Sequence, residues 1–241
     1  MASTSSAAHG VARRDRQTIL RAHPLFAKMD RTVIEQLASY SLTQQVARGA
    51  TIFRKGDPGT SLYAVCTGTV KISVPSVDGK DAVFNVMNAG DIFGEIAILD
   101  GGPRTADAIA ITDCELMKIE RRNFMPLIRE HADMAEKIIE VLCARLRNSS
   151  AQIEDVIFLD LPGRLAKTLL RLSATPGDPK TAKKITLTQR ELGQIIGMSR
   201  ESTNKQLREW HQQNWIRLVR GGVVVVKPDA LAAFVDPDAG K

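Results

Sequence analysis

The chain is predicted to be an α+β protein: an N-terminal β-roll (jelly roll), a long helix, and a C-terminal winged helix-turn-helix. Three observations predict it. Nine of the 17 glycines fall between Gly49 and Gly102, where they separate short runs of alternating apolar residues. From Ala132 to Ile157 there is no glycine or proline, and apolar residues recur in steps of four and three. Further on, two capped helical segments meet at a glycine and are followed by a hairpin signal.

Residues 1–16 are rich in Ser and Ala and lack hydrophobic periodicity, so a flexible tail is expected. The β domain is placed at residues 17–130. It opens with helical signals between Gln17 and Leu42, where Ile34, Leu37 and Ala38 share a face. Strands are expected at Leu62–Val65, Val70–Val74, Ala82–Val86, around Ala106–Ile111, and at Glu115–Ile119. Short strands at about ten-residue spacing with glycine turns indicate a sandwich or roll.

The long helix is placed at residues 131–158. Ala135, Ile139, Leu142, Leu146, Ser149, Ile153 and Val156 form an a/d seam over more than three heptads, with Ser149 as its polar member. A homodimer interface is expected there; the alternative is a helix packed on its own β domain. Asp160 and Pro162 suit the start of the next helix, which carries Leu165, Leu169, Leu170 and Leu172. The final domain is placed at residues 159–241.

Thr188-Gln189-Arg190-Glu191 is a capping box that opens a helix with Leu192, Ile195 and Ile196 as its apolar stripe. Gly197 permits a tight turn, and Ser199 caps a second helix. On that helix Thr203, Leu207 and Trp210 share one face, and Arg200, Glu201, Asn204, Lys205 and Arg208 the other. The latter are the residue types that read base edges and phosphates, and a helix start placed in the major groove brings them there. Ile216–Val219, Arg220-Gly221-Gly222 and Val223–Val226 read as a hairpin whose Arg217 and Arg220 meet phosphates. The expected DNA contacts are Thr188, Gln189, Ser199, Arg200, Glu201, Thr203, Asn204, Lys205, Arg208, Arg217 and Arg220.

Charge supports that assignment. The chain has 33 Lys and Arg against 27 Asp and Glu, a net +6. Residues 1–159 carry 19 of each sign, and within the remainder the 41 positions Lys180–Arg220 hold nine basic and three acidic residues. A basic excess confined to one late segment fits a polyanion partner. Three dispersed cysteines, Cys66, Cys114 and Cys143, fit neither a disulfide framework nor a metal site, and a reduced, cytoplasmic protein is expected. No apolar run approaches the roughly 18 residues of a membrane helix, so no membrane partner is expected.

In the first half, Gly94 allows close backbone approach, and Glu95–Leu99 can form one helical turn whose amides face an anion. Arg104 offers a fork for phosphate, and Glu95 an acceptor for a sugar hydroxyl. On spacing alone, a structural Glu95–Arg104 ion pair stands equally open. No nucleophile–base pair or metal cluster accompanies these residues, so an enzyme is not expected.

Two motifs carry a family resemblance. The run from Phe93 through Leu99 and on to Pro103-Arg104-Thr105-Ala106 resembles the phosphate-binding cassette of cyclic-nucleotide-binding domains. Arg164-Leu165-Ala166 and Thr188–Lys205 resemble the C-terminal domain of the bacterial catabolite activator. The chain is thereby identified as a member of the catabolite activator/FNR superfamily of transcription regulators, over about Pro24 to Val226.

The resemblance implies that Glu95 binds the ribose 2′-hydroxyl, and that Arg104 and Thr105 bind the cyclic phosphate with backbone amides of Ile96 and Ala97. Phe93 and Gly94 belong to the same cassette, and Ile72, Phe84 and Met87 would line the pocket. Ser149 and Ser150 match a hydroxyl pair that faces adenine. Arg200, Glu201 and Lys205 match base-reading positions of a palindrome with TGTGA-like half-sites. Lys205 replaces an arginine of the catabolite activator and Asn204 a glycine, which puts the half-site itself in question. The implied protein is a cyclic-AMP-responsive homodimer that binds double-stranded DNA and meets RNA polymerase, with Lys180–Lys184 as a candidate polymerase contact. Thr105 stands where the catabolite activator has serine and resembles cyclic-GMP sites, so cyclic GMP, alone or beside cyclic AMP, is the alternative effector; a superfamily member that binds DNA without nucleotide is the further alternative. No metal, haem or iron–sulfur cluster is expected, since no cysteine precedes Cys66 and the four histidines show no ligand pairing.

Overall fold

The computed structural model describes residues 16–21, 26–27, 29–75, 81–174 and 184–235. The expected tail (apart from Arg16) and most of the Lys180–Lys184 loop lie outside the described residues. The chain divides into two compact units, with Arg145 ending the main body of the first and Leu146 opening that of the second.

In the first unit, α1 (Arg31–Tyr40) buries Val33, Ile34, Leu37 and Ala38, a stripe at helical spacing. Eight strands follow: β1 (Leu42–Val46), β2 (Thr51–Phe53), β3 (Ser61–Thr67), β4 (Thr69–Pro75), β5 (Asp81–Asn88), β6 (Ile92–Phe93), β7 (Asp107–Ala110) and β8 (Cys114–Glu120). They form two four-stranded sheets, in the orders β1-β8-β3-β6 and β2-β7-β4-β5, with antiparallel pairing. Those interleaved orders are the jelly-roll arrangement.

Strand β3 shows why the roll is solid. Its side chains alternate between faces, and both faces are covered. Leu62 and Ala64 join a core with Phe26, Leu37, Ile98 and Phe124, whereas Tyr63 and Val65 join a second core inside the roll with Val70, Phe93 and Leu116. Strand β8 divides likewise, Met117 and Ile119 to the first core and Cys114 and Leu116 to the second. A short helix, α2 (Glu95–Asp100), sits between β6 and β7.

Helix α3 (Arg121–Glu130) buries Phe124 and Leu127 and leads into α4 (Ala132–Phe158), 27 residues long. The first turns of α4 pack on their own domain through Met134 and Ile138, with Val141 and Leu142 partly buried against the same core. Other seam members are exposed among the described residues: Ile139 is 59% exposed, Leu146 68%, Ile153 62% and Val156 62%. Packing on its own domain, the alternative expectation for this helix, is thus seen for its first turns. Leu142 leans on its own domain and Ala135 is half-buried, while an apolar stripe stands open beside them.

The second unit is built from capped helices. Asp160 caps α5 (Leu161–Ser173) by accepting from the Gly163 amide at 2.8 Å, with Pro162 in the first turn. Helix α6 (Gln189–Ile196) and helix α7 (Arg200–Gln212) are joined through Gly197, at φ +74°. Strands β9 (Ile216–Val219) and β10 (Gly222–Val225) form the hairpin around Arg220-Gly221, and α8 (Pro228–Ala232) closes the unit. Phe234 packs against both Trp210 (centroids 5.4 Å apart) and Trp215 (5.8 Å), pinning the end of α7. Among the described residues, no helix is long and apolar enough to cross a membrane.

Candidate functional site

The first unit holds a cleft lined by polar and apolar side chains, among them Phe53, Ile72, Met87, Glu95, Arg104 and Thr105. The loop that shapes it depends on Gly94, whose φ is +80° and where a Cβ would lie 2.7 Å from Arg104 Nη1. No L side chain is easily accommodated there. With the chain turned in this way, α2 begins at Glu95 and brings Glu95, Ile96 and Ala97 to the cleft, with Phe93 and Gly94 beside them. Arg104, Thr105 and Ala106 enter from the segment before β7, and Ile72 and Met87 from β4 and β5.

Arg104 is buried, at 4% exposure. Its Nη1 donates to the Gly94 carbonyl at 2.7 Å and its Nη2 to the Ser61 carbonyl at 2.6 Å. Burial pulls the guanidinium below its ordinary pKa, opposed by Tyr63, Glu95 and Asp57; arginine stays charged regardless. Glu95 is 7% exposed and pairs with Arg145 of α4, whose other nitrogen donates to the Ile92 carbonyl. The Glu95–Arg104 ion pair left open by the sequence is thus replaced by Glu95–Arg145. Two polar atoms remain buried without any hydrogen-bond partner, Glu95 Oε2 and Arg104 Nε. Unpaired buried groups cost about 1–3 kcal/mol each, and two of the seven such atoms among the described residues belong to side chains lining this cleft.

Phe84 departs from its expected place. It is 51% exposed and does not line the cleft. Strand pleating explains this: Asn85 and Met87 of β5 line the cleft, and Phe84, one residue out of phase with both, falls on the opposite face. Ser149 and Ser150 belong to the second unit, where both are exposed. The cleft also contains residues that the sequence did not single out: Phe53, Asn85 and Arg145. Arg145 lies 50 positions from its partner, and no local pattern links the two.

The second unit presents a different kind of surface. The Thr188 hydroxyl accepts from the Glu191 amide at 3.2 Å, and Glu191 Oε2 accepts from the Thr188 amide at 2.7 Å, completing the expected capping box. Ser199 caps α7 by accepting from the Ser202 amide at 3.0 Å. Arg200, Glu201, Lys205 and Arg208 are all exposed on α7, as are Arg217 and Arg220 on the hairpin. Thr188 and Ser199 are exposed as well, and Gln189 is half-buried. Asn204 is half-buried too, with its Oδ1 lacking a partner.

Thr203 needs correction as a DNA contact. It is fully buried with Leu207 and Trp210, and its hydroxyl donates to the Ser199 carbonyl at 2.8 Å. Residues 203, 207 and 210 share the inward face by the helical repeat. A Cβ on Gly193 would lie 2.8 Å from Thr203 Oγ1, so the two helices meet where one has no side chain. Among the described residues, no group of three His, Cys, Asp or Glu side chains could hold a metal ion.

Comparison with known proteins matches these two regions to two families. The cyclic nucleotide-binding domain family matches residues 43–131, and the Crp-like helix-turn-helix domain family residues 163–234. The chain is 37% identical over 207 residues to a CRP-like cAMP-activated global transcriptional regulator of Mycobacterium tuberculosis, covering 83% of this chain and 92% of that protein. It is 30% identical over 197 residues to the cAMP-activated global transcriptional regulator CRP of Salmonella typhimurium, covering 80% and 93%. Among solved structures, the Thermus thermophilus catabolite activator protein is 28% identical, with a TM-score of 0.51 over 90% of this chain and 100% of that one.

Proposed function

The chain belongs to the CRP-like transcription regulators, which join a cyclic nucleotide-binding domain to a helix-turn-helix DNA-binding domain, and from that premise we propose that cyclic AMP gates its binding to palindromic DNA as a homodimer. One observation carries the choice of ligand. Glu95 Oε2 lacks a donor and Arg104 Nε lacks an acceptor, and both side chains line one cleft. A cyclic nucleotide supplies both partners, a ribose hydroxyl and an anionic phosphate oxygen. The cAMP-activated relatives from Mycobacterium tuberculosis and Salmonella typhimurium support adenine as the base.

The exposed stripe of Ile139, Leu146, Ile153 and Val156 supports the homodimer, because its twofold copy would cover it. Two recognition helices would then meet half-sites about one helical turn apart. The effector acts only through a difference in its affinity for the DNA-competent and incompetent states. RNA polymerase is the partner such a regulator meets at a promoter.

The test is a titration of palindromic operator DNA with and without cyclic AMP. Wild-type protein gains operator affinity with the nucleotide, and Arg104→Ala abolishes the gain. Equal affinity in both conditions would overturn the gating. Thr105, exposed at the cleft, favours cyclic GMP as the second candidate, and calorimetry with both nucleotides separates the two.

A further inference from the structure

The Arg104 guanidinium has a neighbour besides the two carbonyls that hold it. Its Cζ lies 4.1 Å from the centroid of the Phe53 ring, and Tyr63 stands further off at 5.9 Å. Phe53 is the last residue of β2, whose pairing with β7 slips there: Thr51 faces Ile109, but Phe53, two residues on, faces Ala108. One extra residue on β2 makes a β-bulge, a device that re-aims a side chain. Consecutive strand residues ordinarily point to opposite faces, yet Ile52 and Phe53 both pack against the core inside the roll. The ring is itself braced, with centroids 5.9 Å from Tyr63 and 5.9 Å from Phe93, while those two stack at 5.3 Å.

We infer that Phe53 is a positioning residue of the anion site, holding the Arg104 guanidinium by stacking against its face. Of the five N–H groups of a guanidinium, one goes to the Gly94 carbonyl and one to the Ser61 carbonyl. Two hydrogen bonds at one end leave the group free to rock about the line joining its acceptors. A ring against its face removes that freedom and keeps water from that side. Arg104 Nε is left buried with no partner, already oriented when an anion arrives, so the ordering cost is met before binding. The attraction between cation and ring also grows where water is excluded.

This inference rests on the cyclic-nucleotide reading of the cleft, and its test separates the two. The full chain is prepared with Phe53 replaced by phenylalanines of increasing fluorination, which drain the ring's negative face at nearly constant volume, and also as Phe53→Leu and Phe53→Trp. Cyclic AMP affinity is read by calorimetry. The Arg104 Nε–H resonance is read by NMR without nucleotide. Affinity is expected to fall stepwise with fluorination, by about tenfold across the series, with Phe53→Leu as weak as the most fluorinated protein and Phe53→Trp close to wild type. The Nε–H signal should be ring-shifted and slow to exchange in wild type and lose both properties in Phe53→Leu. Unchanged affinity across the fluorinated series would overturn the role. Wild-type protein that binds neither cyclic AMP nor cyclic GMP would sink the cyclic-nucleotide reading instead. The resonance then decides for Phe53: moved by Phe53→Leu it supports the stacking role, and unmoved it overturns it.

Discussion

The cleft of the first unit and helix α7 of the second handle charged side chains in opposite ways. At the cleft, charged groups are buried and partly unpaired: Arg104 is 4% exposed, Glu95 7%, and each keeps one atom without a partner. On α7 the charged groups are exposed, and the helix ends beneath them are closed by Thr188, Glu191 and Ser199. A small ligand can complete a buried site because its own polar atoms reach inside. A DNA duplex cannot enter, so the surface that meets it must be finished beforehand. The contrast concerns charged side chains only, since the second unit keeps unpaired buried atoms of its own at Arg164 Nε, Asn204 Oδ1 and Trp210 Nε1.

That contrast can be broken or sharpened by measurement. The largest effect should come from the open apolar stripe. Changing Leu146 and Ile153 to Glu removes two side chains worth about 1.5–3 kcal/mol each when buried, so sedimentation should show a monomer, and the melting temperature should fall and lose its dependence on protein concentration. A persisting dimer would show that the stripe is not the interface. Leu142 is a poorer probe because it also leans on its own domain's core.

Next comes Arg104→Ala, expected to weaken cyclic nucleotide binding by at least about 100-fold. It also strips the Gly94 and Ser61 carbonyls of their donors, so the first unit should melt lower. Lost binding at full stability would contradict the buried geometry.

A pair of adjacent substitutions then tests the recognition helix. Arg200→Ala should cost about 1–3 kcal/mol of operator affinity and relax selectivity at one base pair, without moving the melting temperature. Thr203→Val should do the reverse, lowering stability by about 1 kcal/mol with base preference intact. Equal effects on operator choice would return Thr203 to the DNA-facing set.

The smallest effect is chemical. Burial, with help from Glu115, pushes the Cys66 thiol up to about 11, so a maleimide at pH 8 should label exposed Cys143 first and spare Cys66. Because the folded value exceeds the usual thiol value of about 8.5, the stabilisation linked to Cys66 is complete below that value and lost as pH rises toward 11. Rapid labelling of Cys66 would indicate a more open β3.

Legibility in the sequence followed the same divide. The capping box, the Gly197 turn, the Asp160 cap and the hairpin are local patterns within a few residues, and each formed where expected. Within the cassette, Glu95 and Arg104 are close in sequence and were found together. Arg145 and Phe53 were not singled out, because one reaches Glu95 from a distant helix and the other arrives through a bulge that no spacing announces. Phe84 is placed at the pocket by resemblance, which carries no strand phase, and one residue reverses a strand's faces. The helical repeat already puts Thr203 on the inward face with Leu207 and Trp210, so its place among the DNA contacts conflicts with that phase.

The Trp210–Phe234–Trp215 cluster has a practical consequence. The chain contains two tryptophans, and both sit in that cluster. Its ultraviolet emission at tryptophan wavelengths therefore originates wholly in the DNA-binding unit. A nucleotide added to the sensor that changes this emission would be heard at the far end of the chain, in unlabelled protein, before any operator is present.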